Sequence, residues 1–380
     1  MSSFFCEEKL NRTFLIKPSS GNCNMRCTYC FYKDEIENRS VKNYGFMTLD
    51  TAKCLIDKAL ENEKDNVNFS FQGGEPTLSG LDFFKAFTEY AKAKGGHRVT
   101  FSLQTNGYII DREWAKFFHD NNYLIGLSMD GNKKIHDIYR LGPDNKGTFV
   151  KTFRAAAFLK AEHVEFNILT TVNKTVAENI GLIFDFFKKN DFKYLQFIPC
   201  LDEISGVKND YSLDAETYAK ALKILFDRYF DSWRKGEYVS IRYFDNLVTM
   251  LLGYPPEACG MRGVCGNYYV IEGDGSVFPC DFYVLDDYKL GNIVSDSLEE
   301  LDKKRVEIGF IEKSKKVEEE CKKCKFFSLC RGGCRRDRED FNKKELSLTY
   351  LCPAYKEFFN YAIDRLIYMA ETEKRVRSGR

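Results

Sequence analysis

Three cysteines near the start of the chain, Cys23, Cys27 and Cys30, stand at C-x3-C-x2-C. Three thiolates can hold three irons of a four-iron cluster and leave the fourth iron without a protein ligand. An open metal position is what a catalytic centre needs and a structural site avoids. A zinc site or three ordinary buried cysteines are the plainer readings. Zinc wants a fourth ligand, and the four histidines (His97, His119, His136, His163) supply none at a ligand spacing. The same shortage argues against zinc hydrolysis and Ser-His-Asp chemistry.

Eight more cysteines follow late in the chain: Cys259, Cys265, Cys280, Cys321, Cys324, Cys330, Cys334 and Cys352. Two fully ligated four-iron clusters would use all eight. On spacing alone, Cys321-x2-Cys324 with Cys330-x3-Cys334 also suits a zinc knot. Of the 14 cysteines, Cys6, Cys54 and Cys200 remain; Cys54 falls in a helical pattern and Cys200 at a strand end, both with structural roles expected.

A net charge of +1 gives no general pull towards nucleic acid or anionic membrane, and neither is expected as a partner. The N-terminus MSSFFCEEKL has no signal-peptide pattern, and apolar runs stay well below the roughly 18 residues of a membrane span. A cytoplasmic location is therefore expected, where thiols stay reduced and clustered cysteines bind metal rather than each other.

The elements that must position these groups alternate. Strands are expected at Arg12–Pro18, Asn66–Gln72, Arg98–Gln104, Tyr123–Met129, Glu165–Val172 and Tyr194–Pro199. Helical patterns lie between them at Leu49–Asn62, Leu81–Lys94, Arg112–Asn121, Phe149–Ala161 and Ile180–Lys189. Six such repeats imply an α/β fold with a parallel sheet, open or curled into a partial barrel, whose ligands bind beyond the carboxyl ends of the strands. The loops there carry the cysteine cluster, Gly73–Pro76, Thr105–Gly107 and Asp130–Gly131. A long helix is expected at about Asp214–Lys235, a hairpin over Tyr268–Tyr283 turning at Gly273–Gly275, and a last helix from about Ala354 to Glu373 with a frayed KRVRSGR tail.

The motif CNMRCTYCFY, with Tyr29 before the third cysteine, resembles the signature of radical S-adenosylmethionine enzymes. The resemblance implies a partial (β/α)6 TIM-like barrel over residues 1–239. In that family, S-adenosylmethionine occupies the open iron and is cleaved to a 5′-deoxyadenosyl radical. FQGGEP (Phe71–Pro76) matches the family's segment for the methionine amino group, which implicates Gly74 and Glu75. Tyr29, Ser128, Arg140 and Leu195 are expected to contact the cofactor by the same resemblance. The later cysteines are similar to those of the SPASM domain, here 240–369, followed by a basic tail, 370–380. That domain implies crossed ligation: Cys259, Cys265, Cys280 and Cys334 around one cluster, Cys321, Cys324, Cys330 and Cys352 around the other. Three [4Fe-4S] clusters result.

The likeness narrows to the anaerobic sulfatase-maturating enzymes on SLQTNG (Ser102–Gly107), LQFI (Leu195–Ile198), SIRYFD (Ser240–Asp245) and GSVFPCDFY (Gly275–Tyr283), and runs from about Phe14 to Met369. It implies oxidation of a Cys or Ser in a C/S-x-P-x-R segment to Cα-formylglycine, on an unfolded sulfatase polypeptide, with an electron donor such as flavodoxin or ferredoxin. Asp281, beside Cys280, is the expected base; Gln72 and Gln104 are expected to hold the peptide backbone. Another SPASM enzyme forming thioether or carbon–carbon crosslinks, and a non-enzymatic electron-transfer or zinc-scaffold protein, are the competing readings.

Overall fold

A computed structural model describes residues 11–62 and 66–378; Cys6 lies outside them. Strands β1 (Asn11–Ile16), β2 (Asn66–Phe71), β3 (Val99–Thr105), β4 (Tyr123–Ser128), β5 (Phe166–Val172) and β6 (Tyr194–Pro199) pair in parallel, in chain order. Helices α1 (Phe31–Glu37), α2 (Leu49–Ala59), α3 (Leu81–Gly95), α4 (Arg112–Asp120), α5 (Lys133–Tyr139), α6 (Phe149–Ala161), α7 (Lys174–Glu178) and α8 (Ile180–Lys189) fill the crossovers. Because the order never reverses, right-handed crossovers carry the helices α2 to α8 to one face, and the sheet is wound as a partial barrel, while α1 packs on the other face of β1 against Leu15.

Strand alternation then sorts the side chains. Val67, Phe69 and Phe71 of β2, Phe101 and Leu103 of β3, and Ile125 and Leu127 of β4 are buried in the main core with the helices. Phe71 meets Phe84 and Phe87 edge-on at 4.9 and 5.0 Å. Each such buried ring contributes about 1.5–3 kcal/mol. The alternate residues, among them Ser70, Ser102, Gln104 and Ser128, face the other way, onto a more polar face.

The sheet does not stop at the sixth strand. β7 (Ser240–Ile241) pairs with β6, while the hairpin β8 (Tyr269–Ile271) and β9 (Ser276–Phe278), extended by β10 (Gly291–Asn292), joins the opposite edge. β8 runs parallel to β1, with Phe14, Leu15 and Ile16 opposite Tyr269, Val270 and Ile271. One sheet therefore crosses between the βα repeats and the cysteine-rich part.

Helix α9 (Ala215–Arg234) starts on an Asp214 cap and packs against the C-terminal helix, Cys352–Arg377. Phe358 of that helix stacks on Phe244 of α10 (Arg242–Leu251) at 5.6 Å. The C-terminal helix continues through Lys374, Arg375 and Arg377, so that stretch is helical where fraying was expected. Among the described residues no helix is long and apolar enough to cross a membrane.

Candidate active site

The loop from Ser19 to Cys30 leaves β1 and enters α1, carrying Cys23, Cys27 and Cys30. Its backbone is clamped by the loop after β2. The Glu75 amide donates to Asn22 O at 2.8 Å, and the Ser19 hydroxyl donates to Glu75 O at 2.9 Å. Gly74 is needed at this crossing: its φ is +48°, and a Cβ there would lie 2.3 Å from Asn22 O. The Glu75 carboxylate is buried and accepts from the Thr105 hydroxyl at 2.7 Å, the Asn106 amide at 2.8 Å and the Thr77 hydroxyl at 2.6 Å. The carboxylate thereby ties the second strand-end loop to the third, while the Glu75 backbone holds the first. Asn106 in turn donates to Asn24 Oδ1 at 2.8 Å and sits 3.7 Å from Cys23 Sγ.

On the other flank, Asp130 is buried and accepts from Arg140 Nε at 2.8 Å and from the Tyr29 hydroxyl. The Arg140 guanidinium also lies over the Tyr29 ring, 5.5 Å from its centre. Burial pushes the Cys27 thiol up to about 12, against the pull of Arg140, and raises Cys23 further, with Glu75 adding to it. Three thiolates here need cationic partners, which iron supplies; the donor set fits an iron–sulfur cluster.

The late cysteines form two groups. Cys321, Cys324, Cys330 and Cys352 line one cavity, with Phe326, Phe327 and Phe359 on its walls. In the other group, Cys280 feels the charges of Cys334 and Cys265, and Cys334 those of Cys259 and Cys265. Cys334 is only four residues from Cys330. Three successive positive-φ residues, Arg331 (51°), Gly332 (85°) and Gly333 (78°), reverse the chain between them. Among the described residues no three Cys, His, Asp or Glu side chains are close enough to hold a single metal ion. Two groups of four thiols match in number the ligands of two fully ligated four-iron clusters.

Asp281 lies against the polar face of the sheet. Its Oδ1 pairs with the Lys17 ammonium and its Oδ2 accepts from Gln72 Nε2 at 2.5 Å. Gln72, expected to hold a peptide, gives this donor to Asp281. Gln104 and Ser128 are half-buried on the same face. Leu195 is not part of the site. It lies near the start of β6, opposite Ile168 and Ile241, in the helix-packed core. The two-residue period of a strand turns Leu195 to the face away from Gln196 and Ile198.

Sequence reasoning missed Lys17 and Tyr32, and placed Asp130 in a site loop without giving it a partner. Strand alternation was a usable signal for Lys17, which continues the Thr13–Leu15 face of β1.

Residues 18–187 match the Radical SAM superfamily and residues 259–325 an iron-sulfur cluster-binding domain, SPASM. The chain is 45% identical over 364 residues to the cysteine-type anaerobic sulfatase-maturating enzyme of Clostridium novyi (strain NT), covering 95% of this chain and 97% of the relative. The chain belongs to the anaerobic sulfatase-maturating enzymes. Another sulfatase-maturating relative, the serine-type enzyme of Bacteroides thetaiotaomicron, is 31% identical over 380 residues, covering 93% and 90% of the two chains. The solved structure of native anSMEcpe with bound AdoMet and Cp18Cys peptide superposes with a TM-score of 0.90 at 46% identity, covering 95% of this chain and 99% of that one. Like that family, the chain is a radical S-adenosylmethionine oxidoreductase with iron–sulfur clusters.

Proposed function

We propose that the chain matures sulfatases by converting the cysteine of a C-x-P-x-R segment, presented as unfolded polypeptide, to Cα-formylglycine. The observation that carries the cysteine preference is 45% identity to a cysteine-type enzyme against 31% to a serine-type one, each over nearly the whole chain. Cys23, Cys27 and Cys30 would hold the catalytic cluster, and the two groups of four cysteines the auxiliary clusters. Tyr29, Gly74, Glu75, Ser128 and Arg140 would shape the S-adenosylmethionine site. When bound, these groups supply the radical that takes a Cβ hydrogen and the acceptor for the second electron.

Asp281 is the base for the substrate thiol proton. Loss of two hydrogens from CH2–SH leaves a thioaldehyde, and water exchanges its sulfur for oxygen, releasing hydrogen sulfide. Support for Asp281 comes from its side chain, 13% exposed while its partner Lys17 is 0% exposed, so the carboxylate is the end of the pair open to a substrate. Gln104 would contact the peptide. Reduced flavodoxin or ferredoxin would deliver electrons, and the reaction belongs in the cytoplasm. The seam between the proposed units 1–239 and 240–369 is where Asp281 meets the barrel.

The test is anaerobic incubation with Cys-type and Ser-type peptides, read by mass spectrometry. A Cys peptide that loses one sulfur and two hydrogens and gains one oxygen supports the reading. A crosslinked product, or turnover of the Ser peptide alone, contradicts it. Reconstituted protein should carry about 12 iron, and about 8 after Cys23, Cys27 and Cys30 are replaced by Ala; stoichiometric zinc would defeat the three-cluster assignment.

A further inference from the structure

Lys17 is fully buried, and a buried ammonium is costly unless it is paired and hydrogen-bonded. Its ion-pair partner is Asp281 Oδ1, 264 residues away in the chain. Gln72 occupies the other carboxylate oxygen. With both oxygens held, the carboxylate cannot turn about its Cβ–Cγ bond without losing both contacts.

Lys17 is itself fixed on three sides. Its amide donates to Ile271 O at 2.7 Å, which locks β1 to the hairpin that leads into Cys280 and Asp281. Its ammonium lies 3.8 Å from the centre of the Tyr32 ring. Its stem fills the space over Gly73, where a Cβ would come within 2.6 Å of Lys17 Cγ. Glu35, buried nearby with neither carboxylate oxygen hydrogen-bonded, makes no ion pair with it.

We propose that Lys17 is a positioning residue for the oxidation: from behind the site wall it aims the Asp281 carboxylate at the substrate thiol. The proposal rests on Asp281 being the base. A lysine serving stability alone would gain more from an apolar replacement of similar volume, since burying a charge pair often costs more than it returns.

The test compares Lys17→Met, Asp281→Asn and the double variant in reconstituted enzyme with a Cys-type peptide, measuring iron, 5′-deoxyadenosine, formylglycine and peptide KM, with a crystal structure of Lys17→Met. Iron and 5′-deoxyadenosine should persist in all three. Formylglycine per 5′-deoxyadenosine should fall about tenfold or more in Lys17→Met, the scale of a misaimed group, with KM within about threefold. The double variant should be no worse than Asp281→Asn, and the Asp281 carboxylate should be turned in the crystal. An unchanged ratio in Lys17→Met beside a low one in Asp281→Asn, or an unmoved carboxylate, overturns the role of Lys17. An unchanged ratio in Asp281→Asn overturns the base assignment instead. If Lys17→Met loses iron, Lys17→Arg decides: it keeps the charge, but its planar head does not superpose on the ammonium. A lowered ratio with full iron supports positioning, and an unchanged ratio overturns it.

Discussion

Two buried ion pairs cross the seam between the βα repeats and the cysteine-rich part, and they are built differently. In Arg39–Glu272 both side chains are 0% exposed, the contact is 3.1 Å, and the Tyr32 hydroxyl adds a hydrogen bond to the same carboxylate. In Lys17–Asp281 the cation is equally buried but the carboxylate reaches the open face. Tyr32 serves both pairs, its hydroxyl on Glu272 and its ring under Lys17. The closed pair joins two parts of the chain. The open one presents a carboxylate from a rigid backing, which is what a site held to sub-ångström geometry requires.

The sharpest way to break this contrast is to open the closed pair. Arg39→Met leaves Glu272 buried without its cation and should cost about 3–5 kcal/mol of stability, read as a lowered unfolding midpoint. Formylglycine formed per 5′-deoxyadenosine should stay unchanged in the folded fraction. Adding Glu272→Leu should recover most of the loss, because both charges are then gone.

The open pair should answer the other way. Asp281→Asn should keep its iron and still cleave S-adenosylmethionine, while formylglycine falls about 10²-fold or more, the scale of a lost general base. Aldehyde formation at a near-normal rate would remove Asp281 from the chemistry.

Gly73→Ala disturbs only the open pair. Its φ of +86° and the Lys17 stem 2.6 Å from the new methyl force the lysine to move. Product per 5′-deoxyadenosine should drop about tenfold, with the unfolding midpoint lowered by strain of about 1–3 kcal/mol. An unmoved ratio would mean that the lysine's placement does not matter to the reaction.

The smallest effect is a control far from the seam. Leu195→Val should cost about 1 kcal/mol by the loss of one buried methylene, and S-adenosylmethionine affinity, measured by calorimetry, should not change. A weakened affinity would return Leu195 to the cofactor site.

Much of this was legible without coordinates where the chemistry is local. Cys23, Cys27 and Cys30 share one short loop, so their spacing alone nearly specifies their geometry. The strands at Asn66, Tyr123 and Tyr194 begin where alternation placed them, and helices Phe149–Ala161 and Ile180–Lys189 match their apolar period residue for residue. Helix α10 carries the same signal in Phe244, Leu247, Val248 and Leu251, spaced for one helical face. The error at Leu195 came from carrying a residue over by resemblance without asking which face of its strand it occupies.

The amino-acid sequence by itself determined the chemistry, the βα order and the three-cysteine loop, because each depends on residue type or on spacings within one loop or element. Tertiary structure alone decided which distant groups meet. Lys17 and Asp281 are brought together by the pairing of β8 with β1, and no local pattern in either segment encodes that pairing. The separation of Cys334 from Cys330 likewise depends on a backbone reversal at Arg331–Gly333. So does the difference between a sealed ion pair and an open one: burial is a property of everything packed around a residue, and it exists only once the chain has folded.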